Sequence, residues 1–223
     1  MRIINKLKTA RRSLAKRIQI QRVHSLDFTV ISNDCWGGEV YKYFNLPYNT
    51  PFIGLFLMGP CYLEFLRDPK YYISQELVFH THSKYEEVNQ VLLKKPYPLA
   101  TLGGKVEISF LHYDSIEEAK TKWQRRASRI NWNNLLVKLD GSKDAATPEL
   151  ANEFTHLPYK NLLLLKAPIT GISKSVVVAD YTNDGSLMFK RSILHFDLAN
   201  WINTGNSAFS LTSKLFQRVL GVG

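Results

Sequence analysis

The residues that invite chemistry in this 223-residue chain begin with one thiol. Cys35 lies in the run Ser32-Asn33-Asp34-Cys35-Trp36-Gly37-Gly38. The β-branched and aromatic stretch Phe28 to Ser32 precedes it, and a helical pattern with Val40, Tyr41 and Phe44 on one face follows. A thiol at a strand-to-helix turn meets free backbone N–H groups and the positive end of a helix dipole, which lower its pKa. The same donors, with Asn33, Asp34 and the backbone of Gly37 and Gly38, can hold an oxyanion or a substrate. A small free cysteine is also ordinary core packing. His112, in Leu111-His112-Tyr113-Asp114, closes a run with Val106, Ile108 and Phe110 on one face by period 2. Placed in the crevice of Cys35, it would complete a thiol–imidazole pair for acyl chemistry, or deprotonate a hydroxyl by itself. A half-buried histidine satisfied by a carbonyl explains the same residue without chemistry.

Arg125, Arg126 and Arg129 share a helical pattern at i, i+3 and i+4 spacings. Three guanidiniums there suit a phosphorylated or carboxylated ligand, including the phosphates of coenzyme A. A solvated helix face is the plain alternative. Glu76, His80 and His82 lack a convincing third ligand, so no metal site is expected. Neither a dinucleotide fingerprint nor a G-x-x-x-x-G-K-[ST] loop is present. Asp180 to Gly185 reads as a turn.

The elements that must position these groups alternate. Strands are expected at 28–32, 105–113, 135–139, 162–166 and 175–179. Helices are expected after Gly38, at 62–67, 69–77, 115–130, 147–156 and 197–203. Ser115 with Glu118 forms a capping box. Several strands are apolar on both faces, as central parallel strands must be. The expectation is one α/β domain, a three-layer α/β/α sandwich with a mostly parallel sheet. Its sites would lie at the carboxyl ends of strands, including Asp140 and Gly141.

Composition narrows the classes. Hydrophobic residues make up 45% and charged residues 22%, the balance of a folded soluble protein. No apolar run reaches the roughly 18 residues of a membrane span. Two cysteines cannot build a disulfide framework, and free thiols fit a reducing, cytoplasmic compartment. The net charge is +10, but residues 1–24 hold eight basic residues and no acid, which leaves +2 for the rest. This divides the chain into a basic amphipathic arm, 1–24, and one α/β domain, 25–223. The arm suits the inner face of an anionic membrane, so a peripheral location is expected. A nucleic-acid partner is not expected, because no recognition module is visible.

Several runs resemble a bacterial family. They are Ile31 to Gly38, Leu46 to Phe52 with Gly54-Leu55, Phe110 to Tyr113, Glu118-Ala119 with Trp123, Arg125-Arg126 with Arg129 to Asn131, and Trp201 to Asn203. The family is a domain of unknown function (DUF1919), usually labelled an exopolysaccharide or capsule biosynthesis protein. The resemblance covers about residues 25–205. It implies an α/β three-layer fold and a role in surface-polysaccharide synthesis, with a glycan precursor as partner. Asp34 departs from it, since Asn is the more usual residue there. The resemblance does not imply a reaction; the thiol turn, the strand-end histidine and the arginine face in one α/β domain give O-acyl transfer to a sugar hydroxyl as the expected function. Cys35 would be nucleophile and His112 base, a coenzyme A thioester would be cosubstrate, and no cofactor would be tightly bound. The alternatives are a metal-independent glycosyltransferase or phosphosugar transferase, and a non-catalytic assembly factor docked through the arm.

Overall fold

The computed structural model describes residues 13–14 and 16–209. Most of the basic arm, from Met1 to Arg12, lies outside the described residues. Residues 16–22 are helical.

The backbone order is β1 (Thr29–Ser32), α1 (Trp36–Phe44), α2 (Gly59–Arg67), α3 (Pro69–Ser74), β2 (Val78–His80), α4 (Glu86–Leu92), β3 (Leu99–Leu102) and β4 (Val106–Ser109). It continues with α5 (Ile116–Ala127), β5 (Leu135–Asp140), α6 (Pro148–Thr155), β6 (Lys160–Leu165), β7 (Val176–Val177), α7 (Gly185–Ser192) and α8 (Leu198–Thr204). The main sheet has the order β1-β5-β6-β7, and every pairing in it is parallel. β2, β3 and β4 form a separate antiparallel sheet.

Period-2 alternation sends the strand side chains into two cores. Ile31, Val137, Leu139, Leu163 and Leu165 meet α2, α6 and the small sheet. Val30, Leu136, Leu162 and Leu164 meet α1, α7 and α8. Helices therefore cover both faces of the parallel sheet, which is the α/β sandwich. On the second face Trp36 is fully buried among Phe189, Phe196 and Trp201, with ring centroids 5.2–6.4 Å away. Its indole N–H donates to Ser192 Oγ at 2.9 Å. Burying one such side chain removes roughly 150–250 Å² from water, about 4–6 kcal/mol of transfer free energy as an upper bound.

The local signals act as their chemistry requires. Ser115 caps α5 by accepting from Glu118 N–H at 3.1 Å, and Thr147 caps α6 by accepting from Leu150 N–H at 3.2 Å. Gly37 lets α1 lie on β1: a Cβ there would sit 2.9 Å from Ser32 Cβ. The pair expected to hold an oxyanion is thus partly a packing device.

One expected strand belongs elsewhere. The 105–113 run is expected to join the parallel set; it forms β4 of the antiparallel sheet instead, paired with β3. Val106, Ile108 and Phe110 are buried, as their period requires, but the strand ends at Ser109 and His112 is exposed. Asp180 to Gly185, read as a turn, ends in the N-cap of α7, where Asp184 accepts from Leu187 N–H at 2.7 Å.

Candidate functional site

The crevice is built by the carboxyl ends of β1 and β5. Alternation along β5 points Leu136, Lys138 and Asp140 toward the α1 side, so a lysine stands in an otherwise apolar strand. Lys138 is fully buried, and its Nζ donates to Asp34 Oδ1 at 2.8 Å. Asp34 Oδ1 also accepts from Ser32 Oγ at 2.9 Å and from Trp36 N–H at 3.1 Å. The carboxylate thus occupies the N-terminus of α1, where negative charge is favoured. Lys143 Nζ forms an ion pair with Asp34 Oδ2 at 3.0 Å. Burial alone would raise the Asp34 pKa. The two ammonium groups overcome it and hold the carboxyl well below the usual carboxylate range.

A second carboxyl, Asp140, ends β5. Its Oδ1 accepts from Tyr181 Oη–H at 2.9 Å and from Ser142 N–H at 3.1 Å. Burial and the Asp34 charge raise its pKa against the pull of Lys138. Asn33 Oδ1 accepts from Asp140 N–H at 2.9 Å, which ties the ends of the two strands together. Asn33 Nδ2, Asp34 Oδ2 and Asp140 Oδ2 are buried without a hydrogen-bond partner.

The mouth of the crevice is the loop after β5. Asp144 adopts a left-handed backbone (φ 53°) and keeps 23% of its side chain exposed, while Lys143 keeps 14%. Lys143 Nζ lies 3.7 Å from Asp144 Oδ2 and donates to Asn183 O at 3.0 Å. Burial is the main cause that raises the Asp144 pKa, from 3.8 to about 6. The charges of Asp34 and Asp140 add to it, and Lys143 opposes. For Lys143, burial works against the charge, but Asp34, Asp144 and Asp140 together raise its pKa and keep it cationic. A carboxylate near neutrality beside a permanent ammonium can accept a proton and stabilise the anion that forms.

The residues expected from sequence divide. Asn33, Asp34 and Cys35 stand together at this end. The Cys35 thiol is half-buried, and burial, then the Asp34 charge, push its pKa up to about 11. The expected lowering by the helix N-terminus fails chiefly because the thiol is buried, and further because the Asp34 carboxylate already occupies that terminus. Gly38 N–H bonds Cys35 O at 3.2 Å. His112 sits beyond β4 in the other sheet, where its backbone N–H donates to Gly54 O at 2.9 Å. Arg126 is buried; it donates to Tyr113 Oη at 2.7 Å and stacks 5.2 Å from the Tyr48 ring. Arg125 and Arg129 are exposed. Asn131, two residues on, donates to Thr29 Oγ1 and to Asp27 O, which places these arginines by the amino ends of the strands. The length of β5 separates them from the crevice, roughly 16 Å at about 3.3 Å per residue. His80 bonds Thr101 Oγ1 at 2.7 Å and His82 O at 2.8 Å.

Lys138, Lys143, Asp144 and Tyr181 escaped the sequence reading. Lys138 left one signal, a charge inside an apolar strand, which demands a buried counter-charge. The loop residues left none.

A protein of Haemophilus influenzae described as uncharacterized is 29% identical to this chain over 217 residues, covering 91% of this chain and 99% of its own length. Residues 5–203 match the family described as a domain of unknown function (DUF1919), and the chain belongs to that family.

Proposed function

We propose that this chain transfers an acyl group from a coenzyme A thioester to a hydroxyl of a glycan precursor, in surface-polysaccharide biosynthesis. The observation that carries the reading is Asp144 beside Lys143, at the mouth of a crevice floored by the Asp34 ion pairs and by polar atoms of Asn33 and Asp140 that have no hydrogen-bond partner. The family resemblance supplies the glycan context, and the crevice supplies the chemistry.

The roles differ from the thiol–imidazole pair. The Asp144 carboxylate takes the proton of the sugar hydroxyl as the oxygen attacks the thioester carbonyl. The Lys143 ammonium faces the negative charge that develops on the carbonyl oxygen. The carbon–sulfur bond then breaks, and the departing thiolate takes up a proton. Asp34 and Lys138 fix the floor on which the acceptor rests. Cys35 is a wall of the crevice, because its thiol is almost wholly protonated near neutral pH.

The test is release of free coenzyme A from acetyl-coenzyme A, with a panel of free sugars and oligosaccharides as acceptors. Acceptor-dependent release that is lost in Asp144→Asn supports acyl transfer. Turnover of nucleotide-sugars without release of coenzyme A would replace it with glycosyl transfer. Silence with both donors would favour an assembly factor.

A further inference from the structure

The two ends of the parallel sheet differ in charge. The carboxyl end carries Asp34, Asp140 and Asp144 around its lysines. The amino end collects exposed cations from several elements. α1 and α2 both start near the crevice, since Trp36 N–H meets Asp34 and Gly59 N–H donates to Asp144 O. Both run back along the sheet, and the end of α2 leads to Lys70 at the far end, whereas Lys42 on α1 is paired with Glu39 at 2.6 Å. Lys70 Nζ stands 5.8 Å from the centre of the half-buried Trp132 ring. Arg125 and Arg129 are exposed on the same end. Of the acids there, Asp68 caps α3 through Tyr71 N–H at 3.1 Å, Glu153 pairs with Arg67 at 2.7 Å, Asp197 is buried against Arg22, and Asp27 is exposed.

The basic arm joins this end. Residues 16–22 are helical, Gln19 Oε1 accepts from Tyr43 Oη–H at 3.3 Å, and Arg17 is exposed. Arg22 pairs with the buried Asp197 at 2.5 Å, and Asn203 bonds both Arg22 O and His24 N–H. These contacts fix the arm's exit beside the last turn of α8, at the amino end of the sheet, where Lys160 Nζ bonds Ile202 O at 2.8 Å.

We propose that this end of the molecule is a docking surface for an anionic lipid bilayer. Cations with an aromatic ring at their level are the side chains that settle at a negatively charged lipid interface. The charge of the arm, +8 without an acid, complements the same surface. Docking there turns the acidic crevice away from the lipid and leaves it open to an acceptor from the aqueous side. The inference is independent of which group is transferred.

The experiment is co-sedimentation of the full chain with vesicles of phosphatidylcholine plus phosphatidylglycerol, against phosphatidylcholine alone. Binding is expected only to the anionic vesicles, and it should weaken as salt is raised. Arg125→Ala and Arg129→Ala should each lose about fivefold in affinity, and the double variant about 25-fold. Both side chains are exposed, so an unchanged melting temperature confirms that the fold is intact. Asp144→Asn should bind like the native chain. Equal binding to neutral vesicles, no binding at all, or a double variant that binds like the native chain would each overturn the proposal. Release from the vesicles by duplex DNA at equal phosphate would also overturn it, in favour of a nucleic-acid partner.

Discussion

Replacing Lys138 by Met should show how far the crevice rests on one buried charge pair. Lys138 and Asp34 are both buried, with 2.8 Å between Nζ and Oδ1. Removing one partner of such a pair typically costs about 3–5 kcal/mol, because the other charge is left in the interior. Lys143 remains 3.0 Å from Oδ2, so about 3 kcal/mol is the expected loss. In a domain of this size that lowers the melting temperature by about 6–12 °C. The pH dependence fixes the sign. In the native chain the Asp34 pKa is lowered from 3.8. Its contribution is therefore present above about pH 4 and lost as the pH falls toward the folded value. Without Lys138 the carboxyl protonates far more readily, so the deficit of the variant should shrink on acidification. Urea unfolding at pH 7 and near pH 4 measures both quantities. The pair Asp34→Asn and Lys138→Met completes a double-mutant cycle, in which about 2 kcal/mol or more of coupling is expected. A loss under about 1 kcal/mol at pH 7, or a deficit that grows in acid, would refute the reasoning.

Gly37→Ala forces a Cβ to 2.9 Å from Ser32 Cβ and should cost about 1–3 kcal/mol in urea unfolding. Gly38→Ala meets only the Ile53 side chain, at 3.5 and 3.9 Å, and should be neutral or slightly stabilising, by up to about 1 kcal/mol from helix propensity. Cys35 should react with iodoacetamide near neutral pH much more slowly than a free thiol, and its rate should climb toward pH 11, read by mass spectrometry of the peptide. Asp144 carries a raised pKa, so its contribution is fully favourable below about pH 4 and lost as the pH rises through about 6. Asp144→Asn should therefore be about 1–2 kcal/mol more stable than the native chain at pH 7, with no advantage near pH 4 in the same unfolding assay. Asn also tolerates the left-handed backbone at this position.

Much of the scaffold was legible because its signals are local. Ser115 and Thr147 announced the starts of α5 and α6, and the apolar runs announced β1, β5 and β6. Period 2 correctly buried Val106, Ile108 and Phe110, but it cannot say which sheet a strand joins. That choice depends on pairing with β3, a short strand whose Leu-Ala-Thr-Leu sequence carries no alternation of its own. That pairing leaves His112 on the exposed turn after β4, against Gly54. Similarly, i, i+3 and i+4 spacing grouped three arginines, but burial separates them: Arg126 faces Tyr113 and Tyr48, and the other two face solvent. Within the crevice, Asn33, Asp34 and Cys35 followed from the strand-to-turn pattern. Asp144 and Tyr181 did not, because loop residues become neighbours only once β1 and β5 are paired.

The most direct test of the crevice as the reacting centre is the pH dependence of acceptor-dependent coenzyme A release, in the native chain and in Asp144→Asn. With Asp144 as the base, kcat/KM rises with pH through an apparent pKa near 6, and Asn in its place lowers the rate by about 10²–10⁴ and removes that limb. A variant that keeps the native rate and the native profile would contradict the account.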